Sequence, residues 1–146
     1  MKRLFLARVQ EAEARDGKAP KVLFKFGANH MMRGLSTTHV PSLGSFVADF
    51  ALARRGTTFS VLLLCGPGTK AGDFQGNEGD CEFSVPTAFP DLVAHVDAKH
   101  PTLFDLRVWK DKPKRWAHLS PDVREMVWAY DAILFVPNGK PAKALK

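Results

Sequence analysis

The stretch SLGSFVADFALARRGTTFSVLLLC, residues 42–65, decides the fold because it joins a clear helix pattern to a buried strand pattern. Its helix rests on apolar residues at positions i, i+3, i+4 and i+7, namely Leu43, Phe46, Val47 and Phe50. Ser42 is a suitable N-cap and Gly56 a suitable stop. The apolar run 58–65 then predicts a strand covered on both faces. A helix followed directly by such a strand is typical of α/β proteins.

The same alternation continues on both sides of this stretch. The remaining elements that the pattern predicts are a helix at 2–16, a strand at 21–26, a helix at 90–98, a strand at 102–108, a helix at 120–130 and a strand at 131–137. Right-handed crossovers between such strands give a parallel sheet. We therefore predict one α/β domain over residues 1–146, with a small, mainly parallel sheet of about four strands and helices on both faces.

Composition sets the class of protein and its chemistry. The chain has 146 residues, of which 45% are hydrophobic, and a net charge of +6. This basic excess lies entirely in residues 1–73, where it could attract an anionic ligand or simply form the solvated face of the first helix. The basic N-terminus has too short an apolar stretch for a signal peptide, and no run is long enough to span a membrane. Two cysteines without a metal-site spacing predict reduced thiols and a cytoplasmic protein.

Four turns follow the predicted strands. They are GANH at 27–30, CGPG at 65–68, RVWK at 107–110 and PNGK at 137–140. Ligands of open parallel sheets bind beyond the carboxyl ends of the strands. We therefore expect these four turns to gather at one edge of the sheet.

His30 is the strongest candidate among them. Gly27, directly after a strand, allows a sharp turn, and an imidazole at that edge can act as a base or a metal ligand. The alternative from the residues alone is a histidine hydrogen-bonded within its turn. Cys65 at the end of a strand could form a nucleophile and base pair with His30, although packing is the more common role of a buried cysteine.

The Gly-rich segment 66–86 matches neither a phosphate loop nor a calcium loop. Lys70 follows a threonine where a phosphate loop needs glycine, and Glu78 stands where a calcium loop begun at Asp73 needs glycine. We expect a flexible substrate loop, in which Asp73 could supply a carboxylate.

The segment 109–116 carries basic residues between two tryptophans, which suits either a nucleic-acid contact or, more commonly, a surface loop. Binding of nucleic acid is therefore not expected.

Three stretches together carry a family resemblance. PKVLFKFGANHMMRG, SLGSFVADFALARRGTTFSVLLLCGPG and YDAILFVPNGKPA resemble the C-terminal half of the erythromycin esterase-like proteins. Their superfamily also contains the haem-uptake ChaN-like and Tiki proteins. The resemblance implies half of a larger α/β hydrolase-like fold, and it matches His30 to the histidine motif of the C-terminal half. The N-terminal half, with its own histidine and glutamates, has no counterpart in this sequence.

The resemblance implies water attack on an ester or amide, with His30 as base, ligand of a divalent metal or support for the oxyanion. His30 is the only metal-ligand candidate, and a small molecule is the implied substrate. The residues that could contact substrate are Gly27, Asn29, Arg33 and Asp73. A missing half predicts a fragment of a longer enzyme, a self-associating half-domain or a non-catalytic remnant. The alternative class is a binding or interaction module with a basic surface for an anionic ligand.

Overall fold

A computed structural model describes residues 1–35, 39–72, 78–81, 92, 94–112, 114 and 117–140. The chain forms two compact units, Met1–Thr58 and Phe59–Lys146, which we call unit 1 and unit 2 and describe separately. Together they contain helices and a small mixed sheet, so the mixed α/β character predicted from the sequence is confirmed.

Unit 1 contains three helices among its described residues: α1 (Lys2–Asp16), α2 (Ala28–Met31) and α3 (Leu43–Ala53). Both predicted long helices are present. Helix α1 ends at Gly17, whose φ of 66° lies in the left-handed region that favours glycine. Helix α3 starts at the predicted cap, because the Ser42 side chain accepts a hydrogen bond from the Ser45 N–H.

Aromatic contacts hold α1 against α3. The Phe5 ring lies 5.3 Å from Phe50 and 6.2 Å from Phe46, both edge to face, and 5.4 Å from Phe24. Edge-to-face pairs at such distances add to the free energy gained by burial. On α1, Phe5 makes these contacts and Val9 is 5% exposed.

The strand predicted at 21–26 does not form. Residues 19–27 contain no helix, strand, turn or bend, and Leu23 is 96% exposed. A strand needs a hydrogen-bonded neighbour, and no described residue pairs with this segment. The prediction of a short buried strand here is therefore wrong.

Unit 2 is built on a three-stranded sheet of order β1 (Val61–Cys65), β5 (Ala132–Val136), β4 (Thr102–Asp105). Strands β1 and β5 are parallel, with Leu63 opposite Leu134. Strand β4 is antiparallel to β5, with Leu103 opposite Leu134 on the other side. The described sheet is therefore mixed and has three strands, whereas the sequence predicted a mainly parallel sheet of about four strands.

Two short helices and a hairpin complete the described part of unit 2. Helix α4 (Arg107–Lys110) follows β4, where the sequence predicted that the strand continues to 108. Helix α5 (Pro121–Ala129) begins as predicted, with Ser120 accepting from the Val123 N–H and proline at the first position. Strands β2 (Lys70–Gly72) and β3 (Glu78–Asp80) form an antiparallel pair. Of the helix predicted at 90–98, residues 94–95 form a turn and 96–98 are not helical, while 90, 91 and 93 lie outside the described residues.

The buried side chains of unit 2 come chiefly from β5, from α5 and from the residues that flank them. Ile133 and Phe135 of β5 are fully buried, and Phe104 of β4 meets Phe135 edge to face at 5.7 Å. The other fully buried large side chains are Tyr130, Leu92, Leu106, Val123 and Val127. Because β5 is the central strand of the described sheet, its residues Ala132, Ile133 and Phe135 are all 0% exposed, as the apolar run AILFV predicts.

Candidate functional site

His30 lies on the four-residue helix α2 in unit 1 and is exposed. Its backbone N–H donates to the Gly27 carbonyl oxygen at 3.0 Å, which closes the turn. Among the described residues its imidazole makes no hydrogen bond and no ion pair. The imidazole is exposed, so a ligand in solution can reach it.

Helix α3 holds the backbone that follows His30. The Ser42 hydroxyl donates to the Met32 carbonyl oxygen, and the Ser45 hydroxyl both donates to the Gly34 carbonyl oxygen at 2.9 Å and accepts from the Gly34 N–H at 2.7 Å. These bonds satisfy backbone groups that have no partner in a regular helix or sheet. The first turn of α3 thus fixes residues 32–34, directly after the candidate histidine.

A close backbone approach adds to this anchoring. Gly44 is buried in the first turn of α3, and a β-carbon on it would lie 2.5 Å from the Met31 carbonyl carbon and 2.9 Å from the Met31 α-carbon. No larger residue fits there without moving α2. A glycine inside a strong helix pattern indicates close packing, and this signal could have identified Gly44 from the sequence.

The other residues predicted to contact substrate are placed as follows. Gly27 is exposed, a β-carbon on it would meet no atom within 4 Å, and its φ is not left-handed, so its turn does not require glycine. Asn29 belongs to α2, and nothing of its side chain is described. Arg33 is half-buried and has a bonding partner. Asp73 lies outside the described residues.

Two of the four predicted turns meet at one end of the sheet in unit 2. The Thr69 hydroxyl donates to the Val136 carbonyl oxygen at 2.6 Å, and the Asn138 N–H donates to the Pro67 carbonyl oxygen at 2.9 Å. The Lys70 N–H donates to the Gly139 carbonyl oxygen at 2.9 Å. Because β1 and β5 are parallel, CGPG and PNGK follow their carboxyl ends and interlock, as predicted.

The turn RVWK lies at the opposite end of the sheet, contrary to the prediction. Strand β4 runs antiparallel to β5, so its carboxyl end meets the start of β5. There the Leu106 N–H donates to the Asp131 carbonyl oxygen at 2.9 Å. The turn GANH belongs to unit 1 and is described there by itself.

A buried carboxylate that the sequence did not predict, that of Asp131, lies at this opposite end of the sheet. Asp131 is 5% exposed, accepts from the Ser60 N–H at 2.8 Å and is paired with the Lys110 ammonium group at 3.1 Å. Its own N–H donates to the Ser60 carbonyl oxygen at 2.8 Å. A buried charge needs such partners. The contacts connect the starts of β1 and β5 to α4, so we assign Asp131 a structural role.

The two cysteines form a disulfide, and the prediction of reduced thiols is wrong. Cys65 and Cys81 are joined with their α-carbons 6.2 Å apart, and the protein has no free cysteine. Cys65 is therefore not a thiol nucleophile in this state. The sequence showed both residues, but their approach depends on the β2–β3 hairpin, which returns residue 81 to the end of β1.

No group of three or more His, Cys, Asp or Glu side chains that could hold a metal ion occurs in the described part of the chain. His39 and His118 are exposed, and His100 contacts Asp97 at 3.2 Å. Hydrogen bonds from the Lys99 N–H and from His100 lower the pKa of Asp97. Of the loop acids, Glu78 and Asp80 lie in β3 without described side chains, and Glu82 lies outside the described residues.

The segment 109–116 is only partly described. Trp109 is half-buried on α4 and Lys110 is engaged by Asp131, while residues 113, 115 and 116 lie outside the described ranges. One of the basic side chains predicted for an anionic ligand thus has an internal function.

Comparisons with protein-family models, curated proteins and solved structures gave no match to this chain. The resemblance to the erythromycin esterase-like proteins therefore stays a prediction. Within the described ranges, no helix combines the length and the apolar character that crossing a membrane requires.

Proposed function

We propose that this chain is the histidine-bearing part of a hydrolase that directs water against an ester or amide, as its resemblance to the erythromycin esterase-like proteins implies. One observation supports the proposal most: an exposed imidazole stands on a backbone that α3 anchors through Gly44 and two serines. Catalytic groups need this combination of an accessible side chain and a fixed support.

In the proposed reaction, a neutral His30 nitrogen accepts a proton as the water oxygen bonds to the carbonyl carbon. The protonated imidazole then returns the proton to the leaving alcohol or amine as the carbon–oxygen or carbon–nitrogen bond breaks. Asn29, Arg33 and the backbone at Gly27 lie close to His30 in the sequence and could bind the substrate. Arg33 would stabilise the negative charge on the carbonyl oxygen.

A divalent metal enters the proposal only as a possible aid to the water that attacks the substrate. A bound metal would lower the pKa of its water near His30. His30 supplies one ligand, and the described residues supply no cluster for it, so we derive no step through a metal. Treatment of the protein with a chelator before the assay separates a metal-supported reaction from one driven by the imidazole alone.

The full fold that we propose is half of a larger hydrolase-like architecture with a mainly parallel sheet. A second copy of the chain is one source of further site residues, and sedimentation velocity measures that association. A cytoplasmic location belongs to the proposal only if Cys65 and Cys81 are reduced in the cell, because stable disulfides are typical of oxidising compartments.

The test is hydrolysis of a panel of nitrophenyl esters and amides of different acyl size. We expect His30→Ala to lower kcat/KM by about 100-fold or more, as for loss of a general base. His118→Ala, which removes an exposed histidine of unit 2, is the matched control and should leave the rate unchanged. Equal rates for both variants, or no hydrolysis by the unmodified protein, would refute the catalytic proposal.

A second candidate function is a binding module, and the charge of unit 1 favours it. Residues 1–58 contain ten Lys and Arg against four Asp and Glu, so this unit carries the whole net charge of +6. Three of these four acids already pair with arginines, in Arg8–Glu11, Arg15–Asp16 and Arg54–Glu13. The lysines of unit 1 therefore favour an anionic partner from outside it.

A further inference from the structure

Residues 20–26, PKVLFKF, form a segment of unit 1 that has the composition of a strand but no strand partner. Valine and phenylalanine favour strands. Neither helix, turn nor bend interrupts residues 19–27, and among the described residues no hydrogen bond uses the backbone of 20–26. A row of unpaired N–H and C=O groups is a template for another strand.

The two sides of this segment differ in what they contact. Phe24 is half-buried, with its ring 5.4 Å from Phe5 of α1 and 6.2 Å from Phe26. Lys21, Leu23 and Lys25 alternate with these residues and are exposed, and Leu23 is almost completely so. The segment therefore meets α1 through Phe24, since Val22 and Phe26 are each 48% exposed. The lysine, leucine and lysine at 21, 23 and 25 are presented to solvent.

These lysines have no internal counter-charge. Lys21 and Lys25 make no ion pair among the described residues, and three of the four acids of unit 1 are held by arginines. The partner that this surface fits is therefore acidic. Because strand residues rise about 3.3 Å each, the two ammonium groups are spaced about 13 Å apart along a strand.

We propose that residues 20–26 bind an extended acidic peptide by strand addition. The partner carries carboxylates at positions i and i+4, opposite Lys21 and Lys25, and an apolar residue at i+2, opposite Leu23. Its backbone satisfies the open N–H and C=O groups, and its side chains form cross-strand pairs with the exposed side of the segment. This inference gives the second candidate function a defined surface, and it is independent of hydrolysis at His30.

The observations favour a peptide over two other occupants. A second copy paired antiparallel about Leu23 would place Lys21 opposite Lys25, and like charges directly opposite each other are destabilising. An anionic lipid surface would attract the lysines and leucine, but it would leave the backbone groups of the segment without hydrogen-bond partners. An acidic strand satisfies both the charges and the backbone.

The test uses the full chain and a capped, fluorescent peptide, Thr-Glu-Thr-Val-Thr-Glu-Thr, with fluorescence anisotropy as the readout. We expect binding that weakens with salt, and a Kd raised about fivefold or more in Lys21→Gln/Lys25→Gln or when glutamine replaces both glutamates of the peptide. Lys99→Gln/Lys112→Gln removes the same charge from exposed positions of unit 2 and should bind like the unmodified protein. Leu23→Ser should weaken binding without unfolding unit 1, because Leu23 buries almost nothing.

Hydrogen exchange shows whether the contact is a strand. We expect amides of residues 21–26 to exchange freely in the isolated chain and to gain protection with the peptide. Protection already present in the isolated chain, or peptide binding without added protection, would overturn the proposal. Binding to phosphatidylserine vesicles but not to the peptide would assign the surface to lipid, and concentration-dependent dimerisation lost in Leu23→Ser would assign it to a second copy. Unchanged peptide binding by His30→Ala keeps this test separate from the hydrolase test.

Discussion

Replacement of Gly44 by alanine tests whether α3 fixes the position of the His30 turn. The new β-carbon would lie within 3.0 Å of the Met31 carbonyl carbon and α-carbon, and backbone atoms cannot rotate away as the end of a side chain can. Alanine in a helix gains about 1 kcal/mol over glycine. Overpacking costs about 1–3 kcal/mol, and displacement of α2 also weakens the hydrogen bonds from Ser42 and Ser45, at about 1 kcal/mol each. We expect Gly44→Ala to lower the free energy of unfolding by about 2–4 kcal/mol.

The measurement is urea unfolding followed by two signals. Far-UV circular dichroism follows the helices, of which α1 and α3 in unit 1 are the longest described. Tryptophan fluorescence follows unit 2, because all three tryptophans of the sequence lie in residues 59–146. The loss should therefore show in the dichroism curve. Gly27→Ala is the matched control, because it adds the same methyl group directly before α2, where the new β-carbon meets no atom within 4 Å. It should change the free energy of unfolding by less than about 0.5 kcal/mol.

The outcome for Gly44→Ala also concerns function. If the proposal for His30 is right, ester hydrolysis should fall in Gly44→Ala, measured where the protein is folded, because this variant moves the histidine's support. A Gly44→Ala protein as stable as Gly27→Ala would show that α2 does not pack on α3 as described, and the argument for a fixed His30 would fail with it.

Two further predictions concern the stability of unit 2. Burial raises the pKa of Tyr130 from 10.0 to about 12, so the stabilisation of about 3 kcal/mol is fully present below about pH 10 and is lost as the pH rises through about 12. Tyr130 is the only tyrosine, so ultraviolet titration of phenolate reads it directly, and a native pKa near 10 would contradict its burial. Reduction of the Cys65–Cys81 disulfide, which closes a separation of 16 residues, should cost about 3 kcal/mol in urea unfolding. The free energy of unfolding of Cys65→Ser/Cys81→Ser should not change when reductant is added. Equal free energies of unfolding for the oxidised and reduced protein would show that the disulfide does not stabilise unit 2.

Local patterns in the sequence predicted most of the elements correctly. The spacing of apolar residues and the caps at Ser42 and Ser120 placed α3 and α5, because a cap and a helical face are properties of neighbouring residues. The apolar runs placed β1 and β5 for the same reason. The meeting of CGPG with PNGK followed from the parallel pairing of these two strands.

Strand direction and long-range pairing could not be predicted in this way. The run TLFDLRV is equally compatible with either direction, and only the pairing of β4 with β5 shows that it is antiparallel and that RVWK lies at the other end of the sheet. KVLFKF has the residues of a strand, but a strand forms only where a neighbour supplies hydrogen bonds. The disulfide likewise depends on where the β2–β3 hairpin returns the chain.

Of the candidate site, the sequence predicted one catalytic residue, His30, and the charges of unit 1 bear on how its imidazole could be oriented. An imidazole base works best when a carboxylate or carbonyl fixes its orientation. Glu11, Glu13 and Asp16 are held by arginines, and Asp49, the fourth acid of unit 1, is exposed on α3 with no described bond to His30. Among the described contacts of unit 1, no carboxylate is paired with His30. If the hydrolase proposal is right, the carboxylate that orients His30 comes from a second chain or from residues outside the described ranges.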